Sequence, residues 1–251
     1  MDPIRAPTGI IEFDKMLNGG FMSGDAVLIS GAAGTGKTNL ALQFLYNGAT
    51  KFGENGVYIS FEEMPDRIYR DAKTIGLDLE RLEAENRIRI ISTSADLLEE
   101  SDSFFKSIFS DINPRRLVMD SISHYAILRK GDSRADVYKL IRFFKTNNLT
   151  SLLLYESEAK VGKSLASVQH SFAFLVDSVI ELRYIEIESA IRRAIAVVKM
   201  RGSDHDKHLR ELMITSQGVE IGDSFETWNG VFTGTPRKTF ADNISRNLAY
   251  V

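Results

Sequence analysis

Residues 31–38 have the composition and spacing of a loop that binds the phosphates of a nucleotide. Their sequence, GAAGTGKT, fits the pattern G-x-x-x-x-G-K-[S/T]. Glycines allow backbone N–H groups to approach phosphate oxygens without a Cβ atom in the way. Lys37 supplies a mobile cation for the outer phosphates, and the Thr38 hydroxyl is a ligand that magnesium accepts. The segment therefore indicates the binding of a magnesium–nucleotide complex.

The flanking elements favour this interpretation over that of a loop that merely happens to be rich in glycine. The apolar run at residues 25–30 predicts a buried strand, and apolar spacing from Asn39 to about Phe52 predicts a helix. A strand, a loop and a helix in this order are the context in which the pattern binds phosphate. The helix N-terminus adds its positive dipole end.

Carboxylates end two further predicted strands. Asp120 closes the apolar segment 116–120, and Glu62 and Glu63 follow the strand predicted at 56–61. In an open α/β sheet, ligands lie beyond the carboxyl ends of the strands, so we expect all three carboxylates near the phosphate loop. We predict that Asp120 serves the magnesium shell and is not simply a polar residue of a loop.

The adjacent glutamates have two interpretations. One of Glu62 and Glu63 can act as general base for the water that attacks the γ-phosphate, while the other stabilises the loop. Alternatively, both lie at the start of the helix that Pro65 opens, where acidic side chains are favourable. The interpretations are compatible, and the sequence does not decide which glutamate is the base. Lys37 completes the predicted catalytic set.

Two cations end a later β-rich run. Lys199 and Arg201 are two residues apart on a predicted strand, so their side chains project from the same face. One interpretation is a solvated strand edge guarded by charge. The other is a pair that reaches the γ-phosphate of a nucleotide bound to a neighbouring subunit, as an arginine finger does.

Other polar residues carry weaker signals. No histidine has metal-ligand spacing with other candidates, and most of the four are expected to be plain polar residues: His124, His170, His205 and His208. Ser121 and Ser123 are expected to form a turn. Lys160 and Lys163 lie in a predicted solvated loop without interleaved aromatic residues for base stacking.

The order of elements predicts an α/β fold. Strands and helices alternate at first, which favours a mostly parallel central sheet with helices on both faces. After about residue 172, β-rich runs joined by short turns predict antiparallel hairpins. The predicted hairpins pair residues 179–188 with 191–201 and residues 212–215 with 219–221. We expect one domain over residues 1–237 and a C-terminal tail at 238–251.

Composition excludes several classes of protein. The 251 residues suit one sizeable domain, and no apolar run is long enough to span a membrane. A net charge of −3 provides no overall basic field for nucleic acid, although a local patch stays open. The absence of cysteine excludes disulfides and zinc–thiolate sites. The N-terminus lacks the layout of a signal peptide, and we expect a cytoplasmic protein.

Together, these motifs resemble the KaiC-like branch of the RecA superfamily of ATPases. The paired glutamates and the K-x-R-G segment are more specific to that branch than the phosphate loop. The matching segments are residues 7–10, 31–38, 60–65, 120–121, 199–205 and 230–237. The resemblance implies a RecA-like core and a ring, typically hexameric, that binds ATP and Mg²⁺ at its subunit interfaces.

The resemblance also implies roles for individual residues. Glu62 and Glu63 match the catalytic pair of the family, and Thr38 and Asp120 would serve magnesium. The residues implied to contact the nucleotide are Gly34, Thr35, Gly36, Lys37, Thr38 and Asn39 from one subunit, and Lys199, Arg201 and His205 from its neighbour.

The leading hypothesis is a slow, magnesium-dependent ATPase that assembles as a homo-oligomeric ring and has a regulatory or signalling role with protein partners that the sequence does not identify. The family's two-domain clock protein carries two such domains and autophosphorylates. Neither its clock function nor that autophosphorylation is transferred, because this chain has room for one domain and no matching Ser–Thr pair. The alternatives are a recombinase-like ATPase that binds single-stranded DNA and a nucleotide-sensing module with negligible turnover.

Overall fold

The computed structural model of the chain describes residues 4–94, 101–128, 133–157, 172–226, 228–231 and 237–238. The helices are α1 (Ile11–Met16), α2 (Lys37–Phe52), α3 (Pro65–Thr74), α4 (Leu79–Ala84), α5 (Ser101–Ile112), α6 (Ile122–Leu128) and α7 (Ser133–Thr146). The strands are β1 (Arg5–Ala6), β2 (Phe21–Met22), β3 (Ala26–Gly31), β4 (Gly56–Ser60), β5 (Ile88–Ser92), β6 (Arg116–Asp120), β7 (Thr150–Glu156), β8 (Ser178–Ile187), β9 (Ala190–Met200), β10 (Arg210–Thr215), β11 (Gly218–Ser224), β12 (Trp228–Asn229) and β13 (Arg237–Lys238).

A nine-stranded sheet forms the centre of the molecule. Its strand order is β11-β10-β9-β8-β3-β7-β6-β4-β5. The strands from β8 to β5 in this order pair in parallel, whereas β8, β9, β10 and β11 pair antiparallel. The predicted α/β class, with a mostly parallel sheet and antiparallel hairpins toward the C-terminus, is confirmed.

Strand β3 is buried on both of its faces, as a central parallel strand must be. Val27 and Ile29 pack on the side of the sheet that α1 to α4 cover. Ala26 and Leu28 pack on the other side, against α5, α6 and α7. The uninterrupted apolar run that predicted a buried strand therefore reflects two separate layers of core.

The parallel strands end together at one edge of the sheet, here called the loop edge. Gly31 pairs with Glu156, and Ser60 pairs with Asp120 at the same level of the neighbouring strands. The residues that follow these positions enter the loop edge from β3, β4, β6 and β7. The edge at which β3 begins, near Ala26, is called the opposite edge.

The hairpin of β8 and β9 turns through Glu188 and Ser189, which have φ angles of 51° and 63°. Of the two-residue turns that match the twist of the strands, the type I′ turn has left-handed residues at both positions. The hairpin was therefore predictable from its β-rich runs, because no glycine marks the turn.

Helix α6 differs from the sequence-based expectation of a simple turn after Asp120. The Ser121 hydroxyl accepts a hydrogen bond from the backbone N–H of His124 at 3.2 Å, which caps the first turn of α6. The buried side chains of Ile122 and Tyr125 then pack the short helix on the core.

Some predictions fall beyond the residues that the structure describes. These are the predicted roles of Lys160, Lys163 and His170, and the tail beyond Lys238. Across the described ranges, none of the helices combines the length and apolar character of a membrane span.

Candidate functional site

The phosphate loop connects β3 to α2 at the loop edge. Gly34 and Gly36 have φ angles of 76° and 101°, which side chains of other residues rarely tolerate. A Cβ atom on Gly34 would lie 2.6 Å from the Tyr184 hydroxyl, and one on Gly36 would lie 3.0 Å from Ile214. Both conformation and space therefore require glycine at these positions.

Lys37 lies at the first position of α2, with its ammonium group over the loop. Its Nζ donates hydrogen bonds to the carbonyl oxygens of Gly31 at 2.8 Å and Ala32 at 2.9 Å. Burial lowers the pKa of Lys37, while carboxylates nearby, that of Glu156 foremost, act in the opposite direction. Several carboxylates of the loop edge therefore act on the ammonium group of Lys37.

Asp120 lies at the end of β6 and accepts two hydrogen bonds on the same oxygen. The Thr38 hydroxyl donates to Oδ2 at 3.0 Å, and the Tyr58 hydroxyl donates to it as well. Burial raises the pKa of Asp120, and these two hydrogen bonds act against that shift. Burial and the adjacent Asp120 raise the pKa of Tyr58 well above its usual value, so Tyr58 stays a donor.

Tyr58 was missed by the sequence analysis. Its strand, β4, is buried throughout, and Tyr58 is part of the same apolar cluster as Val118. Because Tyr58 pairs with Val118 and Ser60 pairs with Asp120, the hydroxyl of Tyr58 points along the sheet toward Asp120. The signal available in the sequence was a side chain with a hydroxyl group, that of Tyr58, within a mostly apolar strand.

The structure distinguishes Glu62 from Glu63. The Ser121 hydroxyl donates a hydrogen bond to Glu62 Oε1 at 3.3 Å, and His124 Nδ1 lies 3.1 Å from the same oxygen. The Glu63 carboxylate makes no hydrogen bond or ion pair with any described residue, although its backbone N–H donates to Ser60 Oγ at 2.8 Å. The sequence left the choice open, whereas the geometry favours Glu62 as the glutamate held in place.

The candidate residues of the loop edge line a common cavity of about 260 Å³. Its wall includes residues of the phosphate loop and α2, the two glutamates and Asp120. The lining residues predicted from the sequence are Gly34, Lys37, Thr38, Asn39, Glu62, Glu63 and Asp120. Thr35 lies within the loop and donates its hydroxyl to the Ala32 carbonyl at 2.8 Å.

The oxygen atoms at this cavity suit the coordination of a magnesium ion that binds together with a nucleotide. Thr38 and Asp120 provide hard oxygen ligands, which Mg²⁺ prefers. Within the described ranges, no three His, Cys, Asp or Glu side chains gather as a metal-binding group. Magnesium is commonly held by one or two protein ligands together with phosphates and waters, so a larger protein cage is not needed.

Lys199 and Arg201 lie at the opposite edge, away from the phosphate loop of their own chain. Gly31 pairs with Leu182, whereas Val179 pairs with Lys199. The strand between these levels spans roughly 10 Å at about 3.3 Å per residue. The structure therefore does not bring this cation pair to the site of the same chain.

Intrachain contacts hold the pair at that edge. Lys199 Nζ donates to the carbonyl oxygens of Ala173 at 2.8 Å and Val176 at 2.7 Å. Arg201 has a side chain that is 58% exposed and lies 4.0 Å from Asp177. Burial, followed by the charge of Arg201, lowers the pKa of Lys199. The exposed guanidinium of Arg201 is thus available to a second molecule.

His205 is on the same side of the molecule, after the end of β9. Its Nδ1 contacts Lys207 Nζ, and the backbone N–H of the adjacent Asp206 donates to the Met16 carbonyl at 2.8 Å. Burial lowers the pKa of His205. His205 therefore accompanies the cation pair and not the phosphate loop of its own chain.

Residues 6–226 match the protein family described as "ATPase: KaiC". The circadian clock oscillator protein KaiC of Thermostichus vulcanus is 35% identical over 245 residues, which cover 95% of this chain and 46% of that protein. The protein of the same name from Synechococcus elongatus is 33% identical over 248 residues, with 96% and 47% covered. Circadian clock protein KaiC3 of Synechocystis sp. is 32% identical over 246 residues, with 97% and 48% covered. The chain spans about half the length of these curated relatives.

Two carboxylates at the opposite edge, those of Asp25 and Asp177, make the stability of the fold depend on pH. Asp177 accepts a hydrogen bond from the Ala26 N–H at 2.9 Å and lies 2.6 Å from Lys145 Nζ. Burial, and then the charge of Asp177, raises the pKa of Asp25 to about 6, while Lys145 and Arg201 act against the rise. The folded protein therefore holds a proton on Asp25 that the unfolded chain releases at lower pH.

We predict that Asp25→Asn stabilises the protein at pH 8 but not at pH 4. Ionisation of Asp25 disfavours the folded state, so stability contributed by the protonated carboxyl is lost as pH rises from about 4 to about 6. Because Asp25 is partly exposed, we expect a gain of only about 1 kcal/mol at pH 8. Urea unfolding at both pH values measures the difference, and an equal change at both would contradict the prediction.

Proposed function

Because the chain belongs to the KaiC family of ATPases, as the family match confirms, we propose that it hydrolyses Mg-ATP at a site shared between two copies of the chain. The observation that supports this proposal is the division of the candidate residues between two edges of one sheet. Lys37, Asp120 and Glu62 lie at the loop edge, whereas Lys199 and Arg201 lie at the opposite edge.

The phosphate loop binds the triphosphate of ATP. Backbone N–H groups around Gly34 and Gly36 and the N-terminus of α2 face the phosphates. Lys37 exchanges the carbonyl oxygens of Gly31 and Ala32 for the outer phosphate oxygens. This exchange is favourable because a phosphate carries full negative charge and a carbonyl oxygen carries only a partial one.

Thr38 and Asp120 would hold the magnesium shell. When bound, Mg²⁺ would neutralise negative charge that develops during phosphoryl transfer. Tyr58 keeps the Asp120 carboxylate oriented through its hydrogen bond to Oδ2. A hydroxyl that does not ionise at neutral pH is suited to this task, because it remains a donor throughout turnover.

Glu62 is the general base. Its carboxylate lines the cavity and is held by Ser121 and His124, so it can accept the proton of the water that attacks the γ-phosphate. Glu63 precedes α3, where its charge is favourable near the helix N-terminus. The two glutamates thus divide the roles that the sequence left unassigned.

Lys199 and Arg201 of a neighbouring copy complete the site. A contact between the opposite edge of one copy and the loop edge of the next is head-to-tail, and such contacts generate a ring when the rotation closes. The family resemblance implies six copies. The same segment carries His205, which the family resemblance implies as a further contact to the neighbour's nucleotide.

A regulatory role in the cytoplasm, with slow turnover, fits this proposal. The relatives named above are called circadian clock proteins, but the chain matches only about half of their length. We therefore propose a nucleotide-dependent switch that acts through protein partners and do not assign a clock function. The net charge of −3 gives no support to the alternative of a DNA-binding recombinase.

We predict that Glu62→Gln lowers the rate of ATP hydrolysis about 100-fold or more, and that Glu63→Gln lowers it less than about 10-fold. Both changes keep the shape of the side chain and remove its basicity. Phosphate release at saturating Mg-ATP measures the two rates, and ATP binding serves as the control for folding. An inactive Glu63→Gln variant beside an active Glu62→Gln variant would reverse the assignment.

We predict that Mg-ATP raises the mass of the protein in solution from that of one chain to that of a closed ring. The nucleotide stabilises the ring because groups from two copies bind it. Light scattering coupled to size-exclusion chromatography, with and without Mg-ATP, measures the mass. The Lys37→Ala variant should keep the mass of a single chain with Mg-ATP. The control variant Lys73→Ala, at an exposed position, should form the ring as the wild type does. A monomer under all conditions would contradict the shared site.

A further inference from the structure

Two side chains from the start of α6 approach one oxygen of Glu62. Ser121 Oγ donates to Oε1 at 3.3 Å, and His124 Nδ1 lies 3.1 Å from it. No described residue hydrogen-bonds the other oxygen, Oε2. The side chains of Glu62 and His124 are 46% and 40% exposed, so neither is fixed by burial. Their mutual contact is therefore what restricts the glutamate.

Hydrogen bonds through two serine hydroxyl groups hold Ser121 and the start of α6 in place. The backbone N–H of Glu156 donates to Ser123 Oγ at 3.1 Å, and Ser123 Oγ donates to Ser121 Oγ at 3.0 Å. Ser121 Oγ also accepts from the His124 N–H at 3.2 Å. Because Glu156 ends β7 and Ser121 follows β6, the start of α6 is tied to two neighbouring strands. The backbone that carries the imidazole is thus hydrogen-bonded at the ends of two adjacent strands.

A glutamate side chain is a poor base unless it is oriented. It has several rotatable bonds, and holding it in one rotamer costs up to about 2 kcal/mol of conformational entropy. A misplacement of about 1 Å can cost roughly 100-fold in rate. Donors on Oε1 restrict the rotation of the carboxylate and leave Oε2 to take the proton.

We propose that His124 is a positioning residue for Glu62, with its imidazole and the Ser121 hydroxyl holding Oε1 so that Oε2 accepts the proton of the attacking water. The proposal rests on the role of Glu62 as general base. His124 is not among the residues that line the cavity, so its effect passes through the glutamate. The sequence offered no such signal, because His124 had no metal-ligand spacing and stood as a plain polar residue.

Substitutions at His124 separate positioning from a general structural role. His124→Ala should lower kcat about 10-fold while leaving the KM for ATP and the Mg-ATP-dependent mass unchanged. His124→Asn should recover most of the rate, because its side-chain amide nitrogen occupies nearly the position of Nδ1. His124→Gln should not, because its amide extends to the position of Nε2. Thermal melting of all three variants controls for folding.

A double-mutant cycle tests whether His124 acts through Glu62. In the Glu62→Gln background, the further change His124→Ala should alter the remaining hydrolysis less than about 2-fold. A full additional 10-fold loss would overturn the proposal, as would a folded His124→Asn variant as slow as His124→Ala. Full activity of His124→Ala with an inactive Glu62→Gln variant would overturn the inference alone. Full activity of Glu62→Gln would overturn the proposed general base itself.

Discussion

The polarity of the central sheet is the constraint on which the rest of the structure depends. Parallel pairing of β3, β4, β6 and β7 brings the phosphate loop, Glu62 and Asp120 to the loop edge. The antiparallel return of β9 along β8 carries Lys199 and Arg201 to the opposite edge. The levels of Lys199 and Gly31 are three residues apart along β8, which is roughly 10 Å. The proposed sharing of the site between copies would bring the two edges together.

Charge at the loop edge is balanced only in part within one chain. Glu156, Asp120, Glu62 and Glu181 all act on Lys37, while burial disfavours its charged form. Hydrogen bonds from Thr38 and Tyr58 offset part of the cost of burying Asp120. Carboxylates gathered near the phosphate loop favour a ligand that brings a metal ion. The cations of a neighbouring copy would supply further positive charge where the triphosphate binds.

Much of this arrangement could be predicted from local patterns. The phosphate loop and the strand that ends at Asp120 have clear sequence signals, and the β-rich runs predicted the hairpins because each pairs with a neighbour in the chain. The contacts of Tyr58 and His124 could not be predicted, because they depend on the register between β4 and β6. The preference for Glu62 over Glu63 has the same origin. Glu62 and Glu63 have the same chemistry, and only the contacts made by residues that follow the adjacent strand β6 distinguish them.

In the proposed shared site, Arg201 of one copy acts at the phosphate loop of another copy. Hydrolysis by a mixture of two variants, Arg201→Ala and Glu62→Gln, tests it most directly, with each variant alone as control. Mixed rings contain interfaces in which an intact Glu62 meets an intact Arg201. Random mixing in equal amounts therefore predicts recovery of about a quarter of the wild-type rate. A mixture no more active than the mean of its two components would contradict the shared site.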